Sequence, residues 1–525
     1  MSLLFWNNPE FVRHRRAELR TTRAITFAAI VLVICVLVWL GCWIERATEM
    51  AAMHRQSQQF GKPNGASLAQ MDEESPAKVW AAFYSVLMYS QLAVLTFWSL
   101  LCCAQSVSGE RERKTWDFQR ATRLNPPELL LGKLLGEPVL AYFIVACCLP
   151  VTLIAAVLGH QYWRSVLCAY LLILLGAVFI GLAGLWMSSL FESRSRGVGL
   201  IGTFTLYLLF GFAGKIAEGS HFPGLAAFSP LNGLGSMLDD DGQGYVATIF
   251  GSPVSWLRTS ALLYVSFGSW FVVMLLRTLK EDFDQIRPLS RWQSVGCAAF
   301  LNVTFYALFS PGLKDYSMSA RQFATLMVFI NGIILFAMGL ATVTSYERLK
   351  VWWRTRSQKR LSLFAEDGPP WPWLALSGAV AYLLLVWGLF TWKNVLGFDR
   401  QTLESGLVQF LAVSIYVTRD VLFIQWSRLT HMRAPVLKGF LYVSLYYVIA
   451  MVLSAVFAVH SNSSGQTVLS LLTPAGVLEN EVTGFHYHAV VFVGMVTQLA
   501  AIVLLLIAIA AKVRHSAVLS AATPD

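Results

Sequence analysis

Few residues in this chain have the types and spacing that could do chemistry. His486 and His488, with His460, could offer imidazoles to a metal ion, but they come without a carboxylate and read as solvated loop histidines. The run Asp239-Asp240-Asp241-Gly242-Gln243-Gly244 opens like a calcium loop, yet Phe250 stands where the bidentate glutamate belongs, so it reads as a turn. Cys102-Cys103 and Cys147-Cys148 are adjacent pairs in apolar stretches; neighbours on a helix point about 100° apart, which suits packing rather than metal binding. Arg419-Asp420 falls inside an apolar run and reads as an interfacial pair that snorkels, in preference to a pair on a transport path. Gly132-Lys133 lacks the upstream glycine and following hydroxyl of a nucleotide-binding P-loop. With no nucleophile–base or His–carboxylate set, the expectation is a protein that is not an enzyme and holds no metal or cofactor of its own.

The elements that would position these residues are membrane helices. Of 525 residues, 56% are hydrophobic and 13% charged, against about 45–50% and 25% in soluble domains. Runs long enough to span occur near 24–44, 80–106, 138–158, 165–190, 198–214, 257–276, 294–310, 322–343, 372–392, 405–424, 439–459 and 488–511. The expected fold is therefore an all-α polytopic membrane protein with about twelve transmembrane helices. Placing the N-terminus in the cytoplasm puts 29 of the 40 Lys and Arg residues on the inner side, including six between 108 and 136 and six between 344 and 371. Both termini are then cytoplasmic. The net charge of +10 becomes a topology marker, and no nucleic-acid partner is needed.

The halves of the chain correspond in order. Ser108-Gly109-Glu110-Arg111 after the second run is answered by Ser345-Tyr346-Glu347-Arg348 after the eighth, an offset of 237. The basic turn Phe191–Arg196 is answered by Trp426–Arg433, the aromatic fifth run by the aromatic eleventh, and Ser229-Pro230 by Thr473-Pro474. This predicts a tandem duplication of a six-helix unit, 1–285 and 286–525, with a pseudo-twofold along the membrane normal.

The most informative stretch is the loop 106–136. Glu110, Arg113 and Asp117 are spaced for pairing along a helix. Asn125-Pro126-Pro127-Glu128 then supplies an N-cap, a proline at the first helical position and a carboxylate at the third, so a second helix begins there. Trp116, Phe118 and Leu124 form an apolar stripe that can rest on a partner or the lipid interface. Glu137-Pro138 marks the bend into the third span, and Gly176, Gly181 and Gly184 give the fourth span a close-packing face.

The order Ser106 to Thr115, then Ala121-Thr122-Arg123-Leu124-Asn125-Pro126, then Glu128 to Lys133 resembles the first intracellular loop of ABC type-2 transporter permeases. In that family the loop is a coupling helix seated in a groove of the ATPase. Carried onto this chain, the resemblance implies coupling roles for Glu110, Arg111, Glu112, Arg113, Lys114, Thr115, Asp117, Thr122, Asn125, Pro126, Glu128, Gly132 and Lys133, and for Glu347 and Arg348 in the second half. Lys114 replaces the family's glycine and Asn125 its Ser or Thr, while the loop 344–371 keeps Glu347-Arg348 without the Thr-Leu-x-Pro and Gly-Lys elements. The segment 5–23, from Phe5-Trp6-Asn7-Asn8-Pro9-Glu10-Phe11 onward, looks like the family's amphipathic connecting helix.

The resemblance implies a permease, an exporter by family, in the bacterial cytoplasmic membrane. ATP and Mg would be bound by separate ATPase subunits, two copies serving the two fused units. The scarcity of charge in the spans hints at a hydrophobic or amphiphilic cargo. The alternative is an ATP-independent secondary carrier with parallel repeats, which would need functional charges at mid-bilayer.

Overall fold

The computed structural model describes residues 8–60, 65–116, 124–190, 227–238, 246–249, 252–279, 288–309, 320–344, 346–359, 363–391, 400–429, 435–458, 471–474 and 485–522. The chain divides into two compact units, Met1–Pro288 and Leu289–Asp525. Ten of the described helices are long and apolar enough to cross a membrane. The expected run 198–214 lies outside the described residues, and 294–310 forms a helix, Arg291–Phe309, that is not among those ten.

Unit 1 begins with α1 (Pro9–Glu18) and α2 (Thr21–Phe60). The amphipathic segment expected over 5–23 is thus shorter at its C-terminal end: the backbone leaves the helix at Leu19, with φ −98° and ψ 54°, and restarts as the first span. Next come α3 (Gly65–Glu112), the short α4 (Pro126–Gly136), α5 (Val139–Leu158) and α6 (Trp163–Leu190). After them come α7 (Pro230–Leu238), a hairpin of β1 (Val246–Ile249) and β2 (Ser252–Ser255) paired antiparallel, and α8 (Trp256–Thr278). The bend expected at Glu137-Pro138 separates α4 from α5.

Unit 2 contains α9 (Arg291–Phe309), α10 (Ala320–Thr342), α11 (Tyr346–Lys359), α12 (Trp371–Thr391), α13 (Arg400–Arg428), α14 (Pro435–Ala458) and α15 (Phe485–Ala522). Its helices pair in the same order as those of unit 1. In unit 1 α2 packs on α3 and α5, α3 on α5 and α6, and α6 on α8; in unit 2 α9 packs on α10 and α12, α10 on α12 and α13, and α13 on α15. The most extensive pairing is α3 with α6 in one unit and α10 with α13 in the other.

Small residues permit these close pairings because backbones can approach only where side chains are minimal. A Cβ on Gly184 would come within 3.0 Å of the Leu100 carbonyl oxygen and 3.2 Å of the Ala104 nitrogen. At the position 237 residues later stands Val421, and there the small partner is Gly339 on the opposite helix, where a Cβ would collide with the Val421 side chain. The glycine has changed sides of the seam while the seam remains.

Candidate functional site

The end of unit 1 predicted to face the cytoplasm is built from α1, the end of α3, and α4. Asn8 starts α1: its side-chain oxygen accepts from the Glu10 and Phe11 N–H groups at 3.0 and 3.4 Å, satisfying donors that a helix start leaves open. The Asn8 amide nitrogen donates to the Glu128 carbonyl at 2.6 Å, joining α1 to α4. Asn125 caps α4 as expected, and the Glu128 carboxylate accepts from the Asn125 N–H at 3.0 Å.

Lys133 is the centre of the joint. It is 0% exposed, and its ammonium lies 2.6 Å from Glu110 Oε2, 3.2 Å from Ser106 Oγ and 3.8 Å from Glu10 Oε1. The same ammonium stands 5.6 Å from the centre of the Trp116 ring, a cation–π distance. Arg13 bridges both acids, 2.6 Å from Glu10 Oε1 and 3.1 Å from Glu110 Oε1, and His14 lies 3.4 Å from Glu10. Burial by itself would raise the Glu10 pKa; the His14 hydrogen bond and the Lys133 and Arg13 charges outweigh it and hold the carboxyl below its ordinary value.

Glycine makes the joint tight. A Cβ at Gly132 would stand 2.6 Å from Glu10 Cβ and 2.8 Å from Asn8 Oδ1, and one at Gly136 would stand 3.2 Å from the His14 ring. Trp116 does not rest on a partner or the lipid surface as expected. It is buried in one cluster with Cys103 and Val107 of α3, Leu129, Leu130 and Leu134 of α4, and residues of α6 and α8, so the elbow formed by the end of α3 and α4 stands on the core of unit 1.

The surface that remains is the turn after α3. Glu112, Arg113, Lys114 and Thr115 are exposed, and Arg111 is half-buried with its Nη1 donating to the Ser189 carbonyl at 3.2 Å. Thr115 N–H donates to Glu110 O at 3.0 Å and Lys114 N–H to Arg111 O at 3.1 Å, a Schellman closure in which Lys114 takes φ 57°. This is the position where the resembled family carries glycine, and the geometry explains that preference. Of the remaining sequence-nominated residues, Pro126 opens α4, while Asp117 and Thr122 lie outside the described residues.

In unit 2 the helix α11 follows α10 and carries Glu347 and Arg348 in its first turn. Trp352 and Leu349 are buried against Leu422, Leu429, Ile502, Ile509 and Val513. Glu347 is exposed and Arg348 half-buried. Here a buried base stands at the first residue of α9. Arg291, 0% exposed at the start of α9, donates to the carbonyls of Glu366, Gly368 and Pro369 at 2.6–3.1 Å and to Thr344 Oγ1 at 3.0 Å.

The span ends are braced at matching positions. Ser188 Oγ accepts from Val107 and Ser108 N–H at 3.0 Å in unit 1. Gln425, 237 residues after Ser188, accepts from Thr344 N–H at 2.8 Å and donates to Thr344 O at 2.9 Å in unit 2.

Sequence reasoning missed Asn8, Glu10, Arg13, His14 and Arg291. A signal existed for the first two: Asn8-Pro9-Glu10 repeats the cap chemistry of Asn125-Pro126-Pro127-Glu128. Arg419-Asp420 requires a correction. The pair does not snorkel at an interface; it is 8% and 4% exposed inside unit 2, surrounded by Tyr416, Tyr446, Tyr447 and Gln498. Asp239–Gly244 and His460 lie outside the described residues, as do the side chains of His486 and His488. Among the described residues no group of three or more His, Cys, Asp or Glu could hold a metal ion.

Residues 43–270 match the family model described as ABC-2 family transporter protein. No curated protein and no solved structure matches the chain. The matched stretch contains α3 to α6 and most of α8, with the elbow among them: this is a multi-pass membrane protein whose residues 43–270 are similar to the ABC-2 family of transporters.

Proposed function

We propose that the chain is the membrane permease of an ATP-binding cassette exporter, driven by separate ATPase subunits docked on its elbows. The observation that carries this reading is the Glu10–Lys133–Glu110 joint. It fastens the N-terminal helix, the end of α3 and α4 into one body and leaves the turn Glu112–Thr115 exposed. A body fixed in this way moves the bundle when its exposed turn is pushed, whereas a flexible loop would absorb the push.

The two units are tandem copies, which the matched helix pairings and the Ser188 and Gln425 braces support. Two copies would let one chain supply the whole membrane part, with two ATPase subunits binding ATP and Mg. The bacterial cytoplasmic membrane is the expected location, with a hydrophobic or amphiphilic cargo. A secondary carrier is the second reading, and the buried Arg419–Asp420 pair is the observation that favours it.

Affinity purification of the tagged chain from its native membrane decides between them. Recovery of an ATPase whose hydrolysis falls at least tenfold in response to Arg113→Glu with Lys114→Glu supports the permease. Proton- or ion-driven transport by the chain alone in vesicles supports the carrier.

A further inference from the structure

Along one side of unit 2 three helices leave space unfilled. α12 and α15 both pack on α13, and a cavity of about 540 Å³ is walled by these three. The sequence of α12 makes the room: Ala375, Gly378 and Ala379 stand at i, i+3 and i+4 and put small side chains on one face. Gly378 also lets α12 come down on α13, where a Cβ would stand 2.6 Å from Ser414 Oγ. Phe410 and Ile502, both buried, line the floor, and the Phe410 and Tyr382 rings meet at 5.7 Å.

The cavity follows α12 from Trp371 to Leu383, twelve residues or about 18 Å, and α13 from Leu407 to Thr418, eleven residues or about 16 Å. It is therefore elongated along the helix axes, and its volume is that of a site for a small ligand. No lining residue is charged. An apolar space of this kind holds water poorly, and left empty it deprives its walls of packing contacts. Leu383, Leu407, Leu411 and Leu499 on its rim are exposed, so it opens sideways. All three helices are long and apolar enough to cross a membrane, so the opening meets lipid.

The two ends differ. Trp371 is the first residue of α12, next to the loop that precedes it, whereas Leu383 lies eight residues short of the end of α12 at Thr391. Thr418 lies toward the Trp371 end, because Gly378 meets Ser414 and Tyr382 meets Phe410 farther along. α15 reaches the same end, where Ile502 and Trp371 pack in one cluster with Leu422. An amphiphile would keep its polar part at this end, where an indole suits the boundary between apolar and polar surroundings.

We infer that the cavity is a binding site for one acyl chain of a phospholipid from the surrounding bilayer, with the ester and head group at the Trp371 end and the methyl end toward Leu383 and Leu407. The inference needs only the spans of unit 2 and not the source of the driving energy, so it holds for the permease and for the carrier.

The test uses the full chain in vesicles of phosphatidylethanolamine and phosphatidylglycerol, doped with a phosphatidylethanolamine carrying a photoactivatable diazirine beside the ester or at the methyl end of one chain. Mass spectrometry locates the labelled residues. The ester-side probe is expected to label Trp371, Thr418 and Leu506 at least threefold more than Leu383 and Leu407, and the methyl-end probe to reverse that order. Ala375→Phe with Ala379→Phe fills the cavity and is expected to cut its labelling at least fivefold, while labelling of the exposed Leu445, Ile449 and Val452 on α14 stays within twofold. Transfer into detergent before photolysis needs no variant and serves if the filled chain does not fold. Cavity labelling is then expected to stay within twofold while labelling on α14 falls at least fivefold. Absence of label in the cavity, unchanged labelling in the filled chain, or equal loss at both places in detergent overturns the inference.

Discussion

Lys133 and Glu110 form an ion pair of 2.6 Å in which the lysine has no exposed surface, joining two helices whose paired residues lie 23 positions apart. A charge removed from water holds its place through its partners, and taking the buried lysine away removes the shortest contact to Glu110 while Arg13 stays 3.1 Å from it. Lys133→Met is expected to lower stability by about 3–5 kcal/mol, and adding Glu110→Gln to recover more than half of the loss. Thermal unfolding in detergent of the two single variants and the double variant measures the recovery.

Gly132 and Gly136 should respond differently to alanine. At Gly132 the new methyl meets Glu10 Cβ at 2.6 Å and Asn8 Oδ1 at 2.8 Å, so α1 must leave the elbow. At Gly136 it meets the edge of the His14 ring at 3.2 Å, which a small ring shift can relieve. Limited trypsin digestion should therefore cut at Arg15 and Arg16 much faster in Gly132→Ala than in Gly136→Ala.

Lys114 holds a left-handed backbone at φ 57°. Left-handed geometry costs an L-residue with a Cβ about 1–2 kcal/mol, and glycine avoids it while losing some of the gain to unfolded-state entropy. Lys114→Gly is expected to stabilise the chain by about 0.5–1 kcal/mol, read as a rise in the unfolding midpoint.

Glu10 has its pKa held below about 4.5 in the folded chain, so the docking it supports is complete above that value. It is lost as pH falls through the lower folded-state pKa, where the carboxylate is protonated and Lys133 and Arg13 lose that partner. A fluorophore on Arg16→Cys should become more mobile only at pH below about 4.5. In a Glu10→Gln background that transition should shrink.

The elbow was legible in the sequence where its signals are local. Asn125, Pro126 and Glu128 announce a helix start within four residues, and the start is where they place it. The 237 positions between Glu110 and Glu347 also separate Ser188 from Gln425, each of which hydrogen-bonds the backbone at the end of another helix of its own unit. The fate of Trp116 was not legible, because an amphipathic stripe states that one face is apolar without stating what covers it.

By itself the sequence determined the solvent, ten of the spans and the cap of α4, because apolar run length and capping act over short stretches of chain. Only the tertiary structure decided that Glu10 meets Lys133 across 123 positions and that Arg419 turns into the bundle of unit 2 and not toward an interface. Both outcomes depend on which face each helix turns toward its neighbours. That rotation is set by packing against residues far away in the chain, such as the Gly339–Val421 contact between α10 and α13.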